Sequence, residues 1–438
     1  MKTLRTLLAT LLVALFAISA AAQFNLDGQI LQRTEFRNGY NRLLAQNLDP
    51  AFFIAHRARL QAGYKLDKVQ LYLSMQDVRT WGNTSQIKVT DPYLSVHEAW
   101  GEFWLSDHFS LKLGRQELNY DNFRFLGNLD WALQARAHDF ALVKYEKEDM
   151  KLHLGGGYNQ DAQNFSGTLF TTTNQYKVAQ LFRYENRIGE LRFSLLFWND
   201  GRQYTLTGPQ GTIIEKGVRY RQTIGIPTLK YEMGNTTLSA FYYHQLGKDP
   251  VGKTVAAYDA SLQLMQQIGV NKEAGQKLRL VAGAELLSGS EPGAADNNSF
   301  SPLYGTNHLF NGYMDHFFVS GAYENNAGLL DVFLRARYDF GPRFFLQLDG
   351  HHFSSQVEGR HSFTGQPLGK YLGIEADMSL GFIIYDAVSL QCGFSALFAT
   401  ENLSELQLVR APDDGQYWAY AMLIYRPTMK NKFIGILL

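Results

Sequence analysis

Apolar and polar side chains alternate with a period of two along most of the chain. Leu191, Phe193, Leu195 and Phe197 share one parity, with Arg192 and Ser194 on the other. Leu278, Leu280, Ala282, Ala284 and Leu286 alternate with Arg279, Gly283 and Glu285. Leu330, Val332, Leu334, Ala336 and Tyr338 alternate with Asp331, Arg335, Arg337 and Asp339. The run from Leu372 to Ile384 interleaves Glu375, Asp377 and Ser379. Successive strand residues point to opposite faces, so the pattern predicts strands with one apolar and one polar face. Several runs exceed the usual globular strand and match the roughly 9–11 residues needed to cross a bilayer obliquely. In a soluble sandwich the polar face would meet bulk water and would rarely hold mixed Arg/Asp ladders over such lengths. A barrel wall facing lipid outside and a polar lumen inside accounts for both faces.

The alternation predicts strands near 24–37, 52–65, 67–80, 95–105, 108–118, 138–147, 150–160, 176–187 and 189–199. It continues near 218–232, 235–246, 254–267, 276–289, 328–340, 343–355, 368–384, 386–400 and 415–427, about 18 strands in all. Tight turns fall at Ser106-Asp107, Asn186 to Gly189, Met233-Gly234-Asn235, Gly341-Pro342 and Tyr385-Asp386. Long polar loops fall between them, the longest near 288–327. Short periplasmic turns, long outer loops and an even strand count are the pattern of outer-membrane barrels. The sheet must close, because lipid offers no partner to the N–H and C=O groups of an open edge. The expected fold is therefore an all-β, antiparallel transmembrane barrel.

The N-terminus sharpens the location. Lys2 and Arg5 precede an apolar stretch from Leu7 to Ile18, and Ala20-Ala21-Ala22 supplies small residues for cleavage before Gln23. This predicts a signal peptide over 1–22 and a barrel over 23–438 in the bacterial outer membrane. Beyond residue 22 no run approaches the ~18 apolar residues of a spanning helix. The 438 residues carry 41 basic and 41 acidic side chains, and no basic tail or aromatic-interleaved basic stretch points to nucleic acid. Aromatics reach 14%, and Tyr64, Tyr72, Tyr145, Tyr158, Tyr231, Tyr338 and Tyr425 fall near strand ends, where such rings suit the lipid interface. The single cysteine, Cys392, lies in an alternating stretch and reads as a wall residue.

Enzyme motifs are scarce. Leu154-Gly155-Gly156-Gly157-Tyr158 lies in a strand with no helix after it, so small wall residues explain it better than a nucleotide loop. His97-Glu98 and His351-His352 are adjacent pairs, and adjacent strand residues face opposite sides, so neither pair is expected to chelate. No Gly-x-Ser-x-Gly or convincing Ser/His/Asp set is present, and no cofactor or metal is implied. What stands out is arginine on the polar parity. Arg57 and Arg59 share a face with Gln61, Arg335 and Arg337 share one with Asp331 and Asp339, Arg219 and Arg221 repeat the pattern, and Arg192 and Arg279 add single sites. Guanidinium groups keep their charge and pair with carboxylates, so rings of them attract anions, unless acidic neighbours neutralise them and merely brace the wall.

Two stretches carry a family resemblance. One is Gly114-Arg115-Gln116-Glu117-Leu118-Asn119-Tyr120, followed by Arg124-Phe125-Leu126-Gly127, Trp131, Arg136 and Asp139. The other is Leu287-Ser288-Gly289-Ser290, followed by Phe300, Pro302 to His308, Gly312 and Asp315. Echoes follow at Asp349 to Phe353 and Gly373 to Asp377. Together they resemble the alginate-export family of outer-membrane barrels. The resemblance implies an 18-stranded barrel and an electropositive constriction. By motif it points to Arg115, Arg124 and Arg136, with Asp139 as an acidic partner. Arg57, Arg59, Arg335, Arg337 and Glu375 join them from the alternation. Arg115 falls on the lipid-facing parity, which requires a bulge or a position above the bilayer. Ser290 stands where the family commonly has Asp, and the chain ends in Leu437-Leu438 rather than an aromatic.

The expected function is a channel for anionic sugars, oligosaccharides or a polysaccharide, working against outer-membrane lipid. A porin for small carboxylates or general solutes would use the same arginines. A non-conducting barrel whose long loops bind a periplasmic or envelope partner is the alternative from another class, and a membrane-embedded hydrolase has least support.

Overall fold

A computed structural model of the chain describes residues 22–87, 90, 93–317 and 326–436. The expected signal peptide and its cleavage fall almost wholly outside the described residues. Eighteen strands follow one another: β1 (Ala22–Asn38), β2 (Ala51–Leu66), β3 (Val69–Thr80), β4 (Leu94–Trp104), β5 (Phe109–Gln116) and β6 (His138–Lys147). Then come β7 (Met150–Tyr158), β8 (Val178–Ile188), β9 (Leu191–Thr207), β10 (Ile213–Met233), β11 (Thr236–Lys248) and β12 (Thr254–Asn271). The last six are β13 (Gln276–Leu287), β14 (Leu329–Asp339), β15 (Phe344–Ser354), β16 (Tyr371–Tyr385), β17 (Val388–Ala399) and β18 (Gln416–Tyr425). Each pairs antiparallel with its neighbours in the chain, and β1 pairs with β18 from Ile30↔Tyr425 to Asn38↔Tyr417, which closes the ring. No helix among the described residues is long and apolar enough to cross a membrane; the strands do the crossing.

Parity sets the two faces of the wall. Leu195, Leu280, Leu334 and Met378 are 38–66% exposed on the outside, whereas Glu285, Arg335 and Glu375 are at most 7% exposed inside. Tyr72 departs from the expected interfacial belt, because its hydroxyl accepts from Gln61 on the inward face of β2. At one end the strands join through turns of two to four residues, as at Gly189-Glu190 and Gly234-Asn235. Gly189 and Gly234 take φ of 58° and 62°, the left-handed conformation that a two-residue hairpin turn requires. At the other end most connections are longer, with five-residue links only at 208–212 and 249–253. The β9–β10 hairpin runs well past the expected 199 and 218 limits, because strand lying above the lipid needs no apolar face and so shows no alternation.

The lumen is less polar than the strand pattern alone suggests. The buried apolar cluster lies inside the ring, where wall residues such as Leu31, Trp198, Tyr243 and Trp418 meet Phe125, Trp131, Phe300, Tyr304 and Met314 from the loops. The chain after β18 also turns inward. Ile434 is 4% exposed, its N–H donates to Gln391 Oε1 at 3.0 Å, and its carbonyl accepts from Gln391 Nε2 at 2.7 Å. The tail enters from the short-turn end, since Tyr425 lies opposite Val388 just beyond the Asp386-Ala387 turn.

Candidate functional site: the partitioned lumen

Two loops fold into the ring and meet there. The first spans 117–137 between β5 and β6, and the second 288–328 between β13 and β14. They cross through a parallel bridge between Leu126 and Tyr304. Gly127 N–H donates to the Tyr304 carbonyl at 3.0 Å, and Thr306 N–H to the Phe123 carbonyl at 2.9 Å. The backbones approach so closely that a Cβ at Gly305 would overlap the Arg124 carbonyl, and one at Gly127 the Thr306 hydroxyl. The two stretches that carried the family resemblance are thus the two halves of one crossing.

Arg124 anchors that crossing to the wall. Its guanidinium is fully buried, 3.1 Å from Asp259 on β12 and 2.6 Å from Glu285 on β13. It also donates to Asn307 at 3.4 Å and Asn311 at 3.2 Å in the second loop. Burial alone would lower its pKa, but Glu285 and Asp259 outweigh that and raise it above the usual arginine value. Arg124 therefore does not face a solute: two carboxylates neutralise it and no water reaches it, which corrects its expected place on the pore surface. Glu375 is corrected in the same way, because its carboxylate accepts the Met314 N–H at 2.7 Å and caps the second loop.

The first loop has a second anchor at Asp130 and Trp131. Asp130 lies 2.7 Å from Arg57 and 3.1 Å from Arg426. Burial would raise its pKa, but Arg57, Arg426 and Arg59 together hold it well below the usual carboxylate range. Trp131 stacks on His308 at 4.0 Å between ring centroids, and the Arg33 guanidinium lies 4.2 Å over its ring. Arg57 is fully buried and also donates to Gln29 at 2.8 Å and the Leu133 carbonyl at 3.1 Å. Arg59 is held by Gln76 Oε1 at 2.6 Å, and Arg335 by Asp349 at 2.8 Å. Arg337 pairs with Asp339 at 3.1 Å. The lumenal arginines of the wall are thus mostly braces.

Arg115 and Asp139 stand elsewhere. They pair with each other at 3.1 Å, 42% and 56% exposed, on the outward parity of β5 and β6. The β4–β5 ladder stops at Ala99↔Arg115, so Arg115 sits on the lip of the wall rather than in a constriction. Arg136 reaches back to the crossing, donating to the Gly305 carbonyl at 3.0 Å.

The crossing divides the lumen into two chambers. One, toward the long loops, has a volume of about 760 Å³ and presents Arg33, Arg37, Arg79, Arg115 and Arg136. Among the described residues, Glu35 and Asp315 are the carboxylates that line it. Asp77 and Asp139 pair with Arg79 and Arg115, so the positive excess weakens toward the lip. The other chamber, toward the short turns, has about 730 Å³ and five cationic side chains (Lys151, Arg183, Arg192, Lys230, Arg335). These meet an equal number of carboxylates (Asp121, Glu146, Glu185, Glu285, Asp331). Sequence reasoning missed Arg33, Arg37, Lys151, Arg183 and Lys230 as lining groups. Arg33, Glu35 and Arg37 share a parity on β1, which was the available signal.

A family model described as alginate export matches residues 22–318, a stretch that contains the whole crossing. Solved barrels share the fold. The outer membrane protein OpdK of Pseudomonas aeruginosa is 12% identical, with a TM-score of 0.59 and coverage of 92% of this chain and 98% of that one. OccAB4 of Acinetobacter baumannii is 10% identical, with a TM-score of 0.60 and coverage of 92% and 97%. A structure of OpdK with vanillate aligns at 12% identity and a TM-score of 0.56, covering 92% and 98%. No curated protein matches this chain.

Proposed function

The chain belongs to the alginate export family, whose fold is that of outer-membrane transport porins, and from that premise we propose that it passes small anionic solutes, acidic sugars or other carboxylates of one or two rings. The observation that carries this reading is the outer chamber, where five arginines line the wall with two lining carboxylates among the described residues, and where Arg33 and Arg37 share a single carboxylate, Glu35, at 2.8 Å each. Low-dielectric walls focus the field of such charges and raise the local anion concentration by about tenfold or more. A solute drawn there would meet the half-buried Arg37 guanidinium, which Glu35 holds at 2.8 Å and which lies over the rings of Tyr40 and Phe53. Past the crossing, the balanced charges of the inner chamber would let it go, as conduction requires.

The crossing argues for size. Chambers of ~750 Å³ hold a small molecule, whereas a polysaccharide would need both loops to leave the lumen. OpdK has been solved with vanillate, and a ligand of that class, one ring with a carboxylate, is small against a chamber of about 760 Å³. Planar-bilayer recording tests the reading. In a salt gradient the reversal potential should show anion preference, and Arg37→Gln with Arg136→Gln should reduce it while conductance persists. Monomeric uronate or an aromatic carboxylate should block from the long-loop side. Cation preference in the unaltered protein, or block by oligouronates alone, would overturn it.

A further inference from the structure

We propose that His97, Glu98 and Glu117 form a binding site for a divalent transition-metal cation, one that pins the stem of the first inward loop to the barrel wall. On a regular strand His97 and Glu98 would face opposite sides, and for that reason the pair was not expected to chelate. The β3–β4 ladder removes the objection. Ser74 pairs with Glu98, while the next residue, Met75, pairs with Val96, so His97 is the extra residue of a β-bulge. Both side chains consequently turn toward the lumen. Glu117 is the first residue beyond β5, where the chain leaves the wall for the crossing. One donor atom from each of the three residues lies within 4.8 Å of the other two, and His97 Nε2 is 2.8 Å from Glu117 Oε1.

The surroundings orient these donors. Glu117 Oε2 accepts from Asn119 at 2.7 Å and from Asn128 at 2.9 Å, which leaves Oε1 turned to the imidazole. Glu98 Oε1 accepts from the Glu117 N–H at 3.1 Å and from the Trp100 indole at 3.2 Å. Such outer hydrogen bonds fix metal-ligating side chains in place. An independent observation points to a guest. Ser74, directly opposite Glu98 on the lumenal parity, is fully buried, and its hydroxyl has no hydrogen-bond partner among the described residues. Buried hydroxyls are almost always satisfied, and a cation or its bound water would satisfy this one.

The donor set selects the ion. One imidazole nitrogen with carboxylate oxygens suits Zn²⁺ or Mn²⁺, whereas Ca²⁺ takes oxygen ligands throughout. Two nearby cations oppose binding: Arg59, 4.0 Å from Glu117, and Lys112, which lies 3.8 Å over the Trp100 ring. Lys112 lies in the field of Glu102 as well as of Glu98, so it is not committed to the site alone. His97 lines the outer chamber, which gives an ion a route from the long-loop side.

The test is calorimetric titration of chelator-stripped, full-length protein in detergent with Zn²⁺, and with Ca²⁺ in a parallel arm. One Zn²⁺ per chain is expected, with affinity falling about tenfold or more in His97→Gln and in Glu98→Gln. His153→Gln, which removes a two-residue His153–Glu146 pair in the inner chamber, should leave that affinity unchanged. Bound Zn²⁺ should also slow tryptic cleavage after Arg136 in the unaltered protein and not in His97→Gln. Absence of a stoichiometric Zn²⁺ site in folded, unaltered protein overturns the proposal whatever the variants do. Undiminished binding in both variants, or tighter binding of Ca²⁺, overturns it as well. Anion preference is independent of the outcome.

Discussion

Arg124 shows what a buried charge does in this lumen. Replacing it with Met would leave Asp259 and Glu285 facing one another without a cation, and removing one partner of a buried pair costs about 3–5 kcal/mol. The expected result is a lower midpoint of heat-modified migration in detergent, with Arg124→Lys recovering part of the loss. Two titrating residues act on the loops at different pH. Asp130 is depressed, so the stability it adds is fully present above the ordinary carboxylate value near ~3.9 and is lost only as pH falls through its own lower value. His316 is pushed by burial down to about 4 from an ordinary ~6.5. The released loop would bind more protons than the docked one between those values, so docking weakens as pH falls from about 6.5 to about 4. The side chain keeps some contact with solvent, so the effect stays below about 3 kcal/mol. Acidification from pH 7 to 4.5 should therefore raise the open probability of single channels, and His316→Gln should abolish that rise.

At the scale of elements, the strands were legible because lipid on one face and charge on the other impose a period of two on every crossing. The agreement at β6, expected over 138–147 and observed over His138–Lys147, needs nothing beyond that alternation. The loops were not legible in the same way. Nothing local in Arg124-Phe125-Leu126-Gly127 says that the segment turns inward; its partners lie on β12, β13 and a loop far along the chain. Arg124 and Arg136 were singled out by motif, yet Arg124 proved to be a brace because its two carboxylates come from distant strands. The facing of His97 and Glu98 was not legible, because a bulge is a property of two strands and cannot be read from one. Gly305→Val tests the crossing, since its side chain would meet the Arg124 backbone. Larger conductance and faster flicker are expected from a barrel that still migrates as folded. Deleting residues 427–438 should likewise enlarge conductance, because the tail then leaves the short-turn mouth; unchanged conductance in bilayer recordings would place the narrowest point elsewhere.

For the whole molecule, a ring without free edges leaves orientation as the main variable, and the outward parity fixes it. Leu334 is more exposed than Leu195, Leu280 or Met378, at 66%. Leu334→Arg near the membrane midplane should cost about 2–4 kcal/mol, read from reversible folding into lipid vesicles, whereas Gln at the lumenal Arg337 should cost less. Processing belongs to this scale too: mass spectrometry of membrane-extracted protein is expected to begin at Gln23, and retention of the first 22 residues would refute it. The crossing also orders folding in time. Leu129 and Thr306 meet across 177 residues of chain, and they meet inside a ring whose hairpins must already be in the sheet. Contacts of such separation form late, because the loop-closure entropy comes due before any reward. Trp131, stacked on His308 only when the loops have met, would then act as a clock: its fluorescence should change after strand signals are complete, marking a step in which a finished barrel furnishes its own interior.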